Sequence, residues 1–143
     1  MATENTPSTP QSCIKYVKPY VIPGENPGGN RTCAEVSKAF YGTPCYDGSF
    51  KSDAGNLYQY LPKWLEVKVK DGKYVYWKSE YPIGAVIVKG GPQANVYYYK
   101  YPTKSDNCLA APPNNSGKPA GLSNITFCWK KPYKPAYQRS SAC

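Results

Sequence analysis

The 143-residue chain contains no histidine. Without imidazole there is no Ser-His or Cys-His pair to activate a nucleophile, and a zinc site would have to be assembled from scattered thiolates. Acidic residues are scarce as well, at 9 Asp and Glu against 18 Lys and Arg. Glu66 with Glu80, or Asp47 with Asp53, are pairs to weigh for acid/base work of the glycosidase kind, and sequence spacing gives no reason to couple either pair. Calcium held by Asp47, Asp53 and Asp106 would lack the dense acidic loop that marks such sites. No stretch approaches the length of a transmembrane helix. Residues 1–10 (MATENTPSTP) carry neither the basic nor the apolar region of a signal peptide. The expectation is a non-enzymatic protein with no cofactor and no metal.

What the chain has in abundance is tyrosine, 15 residues, beside a formal net charge of +9. Tyr offers a broad apolar ring with a hydrogen-bonding tip, and Lys and Arg carry charge on flexible stems. Clusters of both suit contact with sugars, anionic polymers or another protein. Tyr is equally a strand residue, so a Tyr-rich sheet needs no ligand to explain it. The positive charge favours acidic partners and speaks to association rather than to fold.

Six cysteines, Cys13, Cys33, Cys45, Cys108, Cys128 and Cys143, form an even set without CxxC spacing. Disulfides in an oxidising compartment are the natural reading, and they favour secretion with any leader removed. Asn30, Asn114 and Asn124 each open an Asn-x-Ser/Thr sequon, which agrees with secretion if the source is a eukaryote. One domain is expected from the length. Residues 1–22 read as an extended arm or edge strand, 23–130 as the folded domain and 131–143 as a Lys/Pro/Tyr-rich tail.

Along the chain, Cys13–Ile22 is rich in strand formers but interrupted by Pro19, which confines it to an edge. Residues 23–32 are loop by every breaker signal. Thr32–Tyr41 is the one candidate helix, with Thr32 and Glu35 in the spacing of a capping box. Gly42–Asn56 reads as an ordered loop tied down by Cys45. From Trp64 the pattern turns to period two, with Leu65, Val67 and Val69 alternating with Glu66, Lys68 and Lys70, and Asp71-Gly72 marks a hairpin. A two-residue loop would put Tyr74 and Tyr76 on the Val67/Val69 face. A three-residue loop with Gly72 left-handed would put Val75 and Trp77 there, which separates apolar from polar better. It leaves Trp64, Lys68, Tyr74, Tyr76 and Lys78 on one outward face, an aromatic and cationic platform.

Ile83–Lys89 is a nearly continuous apolar run, expected as a central strand buried on both sides. Asn95–Tyr101 follows as a strand with Tyr97, Tyr99 and Tyr101 on one side and Val96, Tyr98 and Lys100 on the other, so that part of the tyrosine cluster faces solvent. Residues 102–121 read as a long loop, functional or covalently fixed through Cys108, and Leu122–Trp129 as the last strand. The tail repeats a Lys-Pro-Tyr theme around Tyr133 and Tyr137. The expected fold is all-β, an antiparallel Ig-like β-sandwich stapled by disulfides, with a small β-barrel as the alternative.

The run IGAVIVKGGPQANVYYY, followed by GLSNITFCW and preceded by Thr32-Cys-Ala-Glu-Val36, resembles a recurrent β-rich module of secreted and cell-surface proteins, mostly bacterial. The resemblance covers roughly residues 30–130. It implies an extracellular domain without a transferable enzymatic function, and a bridge from Cys33 to Cys128 between the opening and closing segments. The module's closing strand usually carries a histidine where this chain has Asn124. The pairing of Cys13, Cys45, Cys108 and Cys143 stays open.

Three functional readings follow. The favoured one is a secreted structural or adhesive surface protein that self-associates or binds a matrix polymer, joined by strand addition to a sheet edge. The second is a carbohydrate-binding module stacking sugars on Trp64, Tyr74, Tyr76 or the Tyr97, Tyr99 and Tyr101 group. Whichever reading holds, Lys68, Lys100 and the tail residues Tyr133 and Tyr137, a tail that could itself dock on a neighbouring subunit, complete the candidate contact surface. The third is polyanion binding, where disulfides argue against nucleic acid as the partner.

Overall fold

Alternation and turn chemistry build an almost wholly β structure. The computed structural model describes residues 3–4, 19–22, 31–40, 46–56 and 61–130. In chain order these form β1 (Thr3–Glu4), β2 (Tyr20–Val21), α1 (Cys33–Ala39), β3 (Gly48–Asp53), β4 (Leu65–Lys70), β5 (Tyr74–Gly90), β6 (Gln93–Leu109) and β7 (Asn124–Trp129), with a 3-10 turn at Ala54–Asn56. Every pairing is antiparallel. The strands make one sheet in the order β1-β2-β6-β5-β7-β3, with β4 also on β5. The all-β antiparallel expectation holds. The sheet does not close, so the barrel alternative is set aside.

One sheet makes two layers because its two longest strands bend at matched bulges. Lys78 pairs with Ser105 and Ile83 with Thr103, so Ser79–Pro82 of β5 face a single residue of β6, while Ser79 still pairs with Leu65 of β4; Ala85 then pairs with Tyr98, so Tyr99–Pro102 of β6 face a single residue of β5. Each bulge ends in a Tyr-Pro dipeptide, Tyr81-Pro82 and Tyr101-Pro102, and proline suits a bulge because no ladder donor is lost there. Seven residues of straight strand span about 23 Å. The Tyr99 hydroxyl nevertheless reaches Asp106 at 2.6 Å, so β6 doubles back.

The upper layer is β4 with the first part of β5 and the last part of β6; the lower is the rest of β5 and β6 with β7, β3 and β2. Between them lie Leu65, Val67, Val75, Trp77 and Leu109 from above and Val86, Val88, Tyr97, Tyr99, Ile125 and Phe127 from below. The ring of Trp77 meets Phe127 edge-on at 5.8 Å. The first hairpin takes the three-residue loop: Lys70 pairs with Tyr74, and Asp71 and Gly72 are both left-handed, at φ 57° and 65°. Val75 and Trp77 therefore share the inner face with Val67, as their burial requires.

On the other side of the lower layer, Ala85, Ile87, Ala94, Val96 and Cys128 are covered by Val36 of α1 and by Ile22. The central strand is thus buried on both faces, as its unbroken apolar run implied. α1 starts with a complete capping box, Glu35 N–H donating to Thr32 Oγ1 at 3.2 Å and Thr32 N–H to Glu35 Oε1 at 3.0 Å. The Cys33–Cys128 disulfide, which the module resemblance implied, fastens it to β7.

Two expectations change. Residues 48–53 form a strand rather than loop: Gly48 to Asp53 pair along the whole of β7. Residues 102–109 belong to β6, so the loop after it runs only from Ala110 to Ser123. That loop is pinned to both layers, Leu122 N–H donating to Gly72 O at 3.0 Å and Ser123 N–H to Lys89 O at 2.8 Å.

Candidate functional site

The register of the β4–β5 hairpin decides which side chains leave the core together. Glu66 lies across from Lys78, Lys68 from Tyr76 and Lys70 from Tyr74. Lys68, Lys70, Lys78 and Glu66 are exposed, while Tyr74 and Tyr76 are half-buried. The outward platform therefore forms as the alternation implied, with Lys70 added to it. Trp64 departs from it. Its ring packs at 5.2 Å from Tyr81 and 6.1 Å from Trp129, against the inter-layer core.

Tyr81 and Trp129 stack at 5.8 Å with 27° between their planes. With Trp64 they form a cluster of half-buried rings at one margin of the core. Sequence reading overlooked Tyr81 and Trp129 as partners of Trp64. The legible signal was the Tyr-Pro repeat, which marks the bulge that carries Tyr81. Trp129 lies so close over Gly48 that no side chain fits there, and Tyr46 covers Gly84 in the same way.

The Tyr97–Tyr101 group divides. Tyr97 is 0% exposed and Tyr99 5%, so neither ring reaches the surface as a sugar platform would require. Both belong to the face that the upper layer covers. Their hydroxyls serve the fold: Tyr97 Oη accepts from Ala110 N–H at 2.9 Å and donates to Ala110 O at 3.2 Å. Asn95 Nδ2 donates to the same carbonyl at 2.9 Å. Tyr98, on the opposite face, stacks on Phe40 at 4.2 Å, and Phe40 meets Tyr20 edge-on at 5.3 Å. Tyr101, carried out on the β6 bulge, is 79% exposed with the Lys100 ammonium 5.7 Å from its ring centroid. Tyr133 and Tyr137 lie outside the described residues.

Burial holds the phenols of Tyr46, Tyr97 and Tyr99 above the ordinary value for tyrosine, with the Asp106 charge adding to the effect at Tyr99. They remain neutral under physiological conditions. Of the acidic residues weighed for chemistry, Glu66 and Glu80 are exposed on one face of the β4–β5 hairpin, Glu66 across from Lys78 and Glu80 two residues beyond it; the others are dispersed, with Asp47 paired to Lys130 at 3.9 Å, Asp53 at the far end of β3 from it, and Asp106 accepting from Tyr99. Among the described residues no three His, Cys, Asp or Glu side chains group to hold a metal ion. No helix among them is long and apolar enough to cross a membrane.

Cys108 is left-handed, at φ 58°, and disulfide-bonded to a partner outside the described residues, where Cys13, Cys45 and Cys143 also lie. Of the sequons, Asn114 is exposed in a turn and its Oδ1 accepts from Ser116 N–H at 2.9 Å, whereas Asn124 is buried in β7. Asn30 lies outside the described residues. No family model matches the chain, and neither a curated protein nor a solved structure does.

Proposed function

We propose that this is a secreted structural or adhesive surface protein whose copies join by docking the N-terminal arm of one on the sheet edge of the next. The observation that carries this reading is how the arm is attached. β2 meets the domain through a single strand pairing, Tyr20 with Val96, while Pro19 and Ile22 are buried beside it. This is the geometry of an added edge strand with plug residues, in which backbone pairing supplies affinity and side-chain pockets supply specificity.

Arg31 clamps the same segment, Nη2 donating to Ile22 O at 2.9 Å while Nη1 pairs with Glu35 at 2.8 Å. An identical arm from a neighbour satisfies the same edge and the same pockets, which is the low-cost route by which copies exchange an element.

The test is electron microscopy and size-exclusion chromatography of the full chain at high concentration, with and without residues 1–22. Fibres or discrete oligomers from the full chain, lost on truncation and capped by added peptide 1–22, are expected. Monomers under every condition would refute the reading.

A further inference from the structure

We infer that Tyr101 is a site of oxidative coupling, at which two copies of the chain are joined by a covalent bond between their Tyr101 rings. Coupling requires that two exposed rings meet, so the inference is independent of arm docking.

The β6 bulge decides which ring is offered. Residues 99–102 face a single residue of β5, so the ladder skips Tyr101. Its ring is 79% exposed, the one large hydrophobic side chain so open among the described residues. Lys100 and Pro102 on either side are exposed as well. The Lys100 ammonium lies over the ring, 5.7 Å from its centroid. A cation on the face leaves the ring edge free, and coupling takes place at that edge, at the carbons ortho to the hydroxyl.

The other eight described tyrosines are committed to the fold. Tyr97 and Tyr99 are buried, with their hydroxyls bonded to Ala110 and Asp106. Tyr20 and Tyr98 pack on Phe40, Tyr81 stacks on Trp129, and the Tyr46 ring covers Gly84. Tyr74 and Tyr76 are half-buried, the Tyr76 hydroxyl 3.4 Å from Cys108 Sγ. Rings held in such contacts do not bring their edges against a ring of a second molecule.

The cysteines leave the route open. A free thiol would quench a tyrosyl radical by giving up its hydrogen, but Cys33, Cys108 and Cys128 are all disulfide-bonded, and no cysteine is free among the described residues. The same bridges belong to an oxidising compartment, where the oxidant is hydrogen peroxide used by a haem peroxidase. Each of two Tyr101 phenols gives up one electron and its hydroxyl proton, while the peroxide O–O bond breaks and two waters form. The two radicals join through an ortho carbon of each ring. The hydrogen displaced from each of those carbons moves to the ring's own oxygen and restores the phenol.

The experiment treats the full chain with a haem peroxidase and hydrogen peroxide. It reads covalent dimer on a reducing denaturing gel, dityrosine fluorescence, and the linked tryptic peptides by mass spectrometry. A dimer that survives reduction is expected, with peptide 101–104 linked to its own copy. Tyr101→Phe should lose most of that dimer, whereas Tyr74→Phe and the tail variant Tyr133→Phe/Tyr137→Phe should keep the parent's yield. Phenylalanine retains the ring beside Lys100, so circular dichroism should match the parent's. No dimer from the parent, an unchanged yield from Tyr101→Phe, or linked peptides carrying other tyrosines in place of Tyr101 would overturn the inference.

Discussion

The Tyr99 hydroxyl donates a 2.6 Å hydrogen bond to Oδ2 of Asp106, a residue of the same strand seven positions on. The contact exists because β6 folds back across its own bulge, so it reports on the bend directly. Tyr99→Phe removes the donor from a partly buried carboxylate and should cost about 1.5–3 kcal/mol. Asp106→Ala should cost a similar amount, and the double variant less than the sum of the two. Urea denaturation of the three proteins measures the coupling; full additivity would mean that the bond contributes nothing to the bend.

Alkaline pH should destabilise the fold for a defined reason. The phenols of Tyr46, Tyr97 and Tyr99 are held above their unfolded value, chiefly by burial. A raised value means that the folded state keeps protons which the unfolded chain releases once pH passes about 10. Their stabilising contribution is complete below that point and lost progressively above it. Denaturation midpoints between pH 8 and 11.5 should fall steeply only above about pH 10, with part of the tyrosinate absorbance appearing at unfolding rather than before it. Tyr97→Phe should lower stability at neutral pH by about 1–3 kcal/mol, because Ala110 N–H loses its acceptor, and should flatten the alkaline slope.

Two glycines are fixed by aromatic cover. A Cβ on Gly48 collides with the Trp129 ring and one on Gly84 with the Tyr46 ring, whereas Gly55 faces open space. Gly48→Ala and Gly84→Ala should each cost about 1–3 kcal/mol by overpacking, with Gly55→Ala near neutral. Thermal melts separate the cases, and a neutral Gly48→Ala would mean that Trp129 can swing away at no cost.

The bridge between Cys33 and Cys128 spans 95 residues. Replacing both cysteines by alanine should cost about 2–5 kcal/mol, with α1 losing protection first. Amide exchange at Val36 and Val86 checks the order, since Val36 depends on the bridge while Val86 is held by strands on both sides.

Much of this was readable in advance where local chemistry and burial agree. Asp71-Gly72 beside Val67, Val69, Val75 and Trp77 marked the hairpin and made the three-residue loop the better of two registers, Thr32 and Glu35 marked the start of α1, and the Ile83–Lys89 run announced a strand covered on both faces. β3 was hidden because Gly48, Ser49, Ser52 and Asp53 are turn formers, and their strand conformation is imposed by pairing with β7. Period two placed Tyr97 and Tyr99 on one face of β6 but could not say what covers that face. The covering layer arrives through the bulges, whose sign was a Tyr-Pro dipeptide rather than a gap in the apolar pattern. The outward face of Lys68, Tyr74, Tyr76 and Lys78 was legible in the alternation, and only the structure added Lys70 to it and turned Trp64 towards the core.

Because β5 and β6 each run through both layers, the two halves of the sandwich have no seam. In a sandwich of separate sheets one sheet can fray while the other keeps its ladder intact. Here, opening the upper layer bends the same backbone that holds the lower one, and the Leu122 and Ser123 amides tie the opposite end. The two layers should therefore resist pulling on their edges as a single unit and give way all at once.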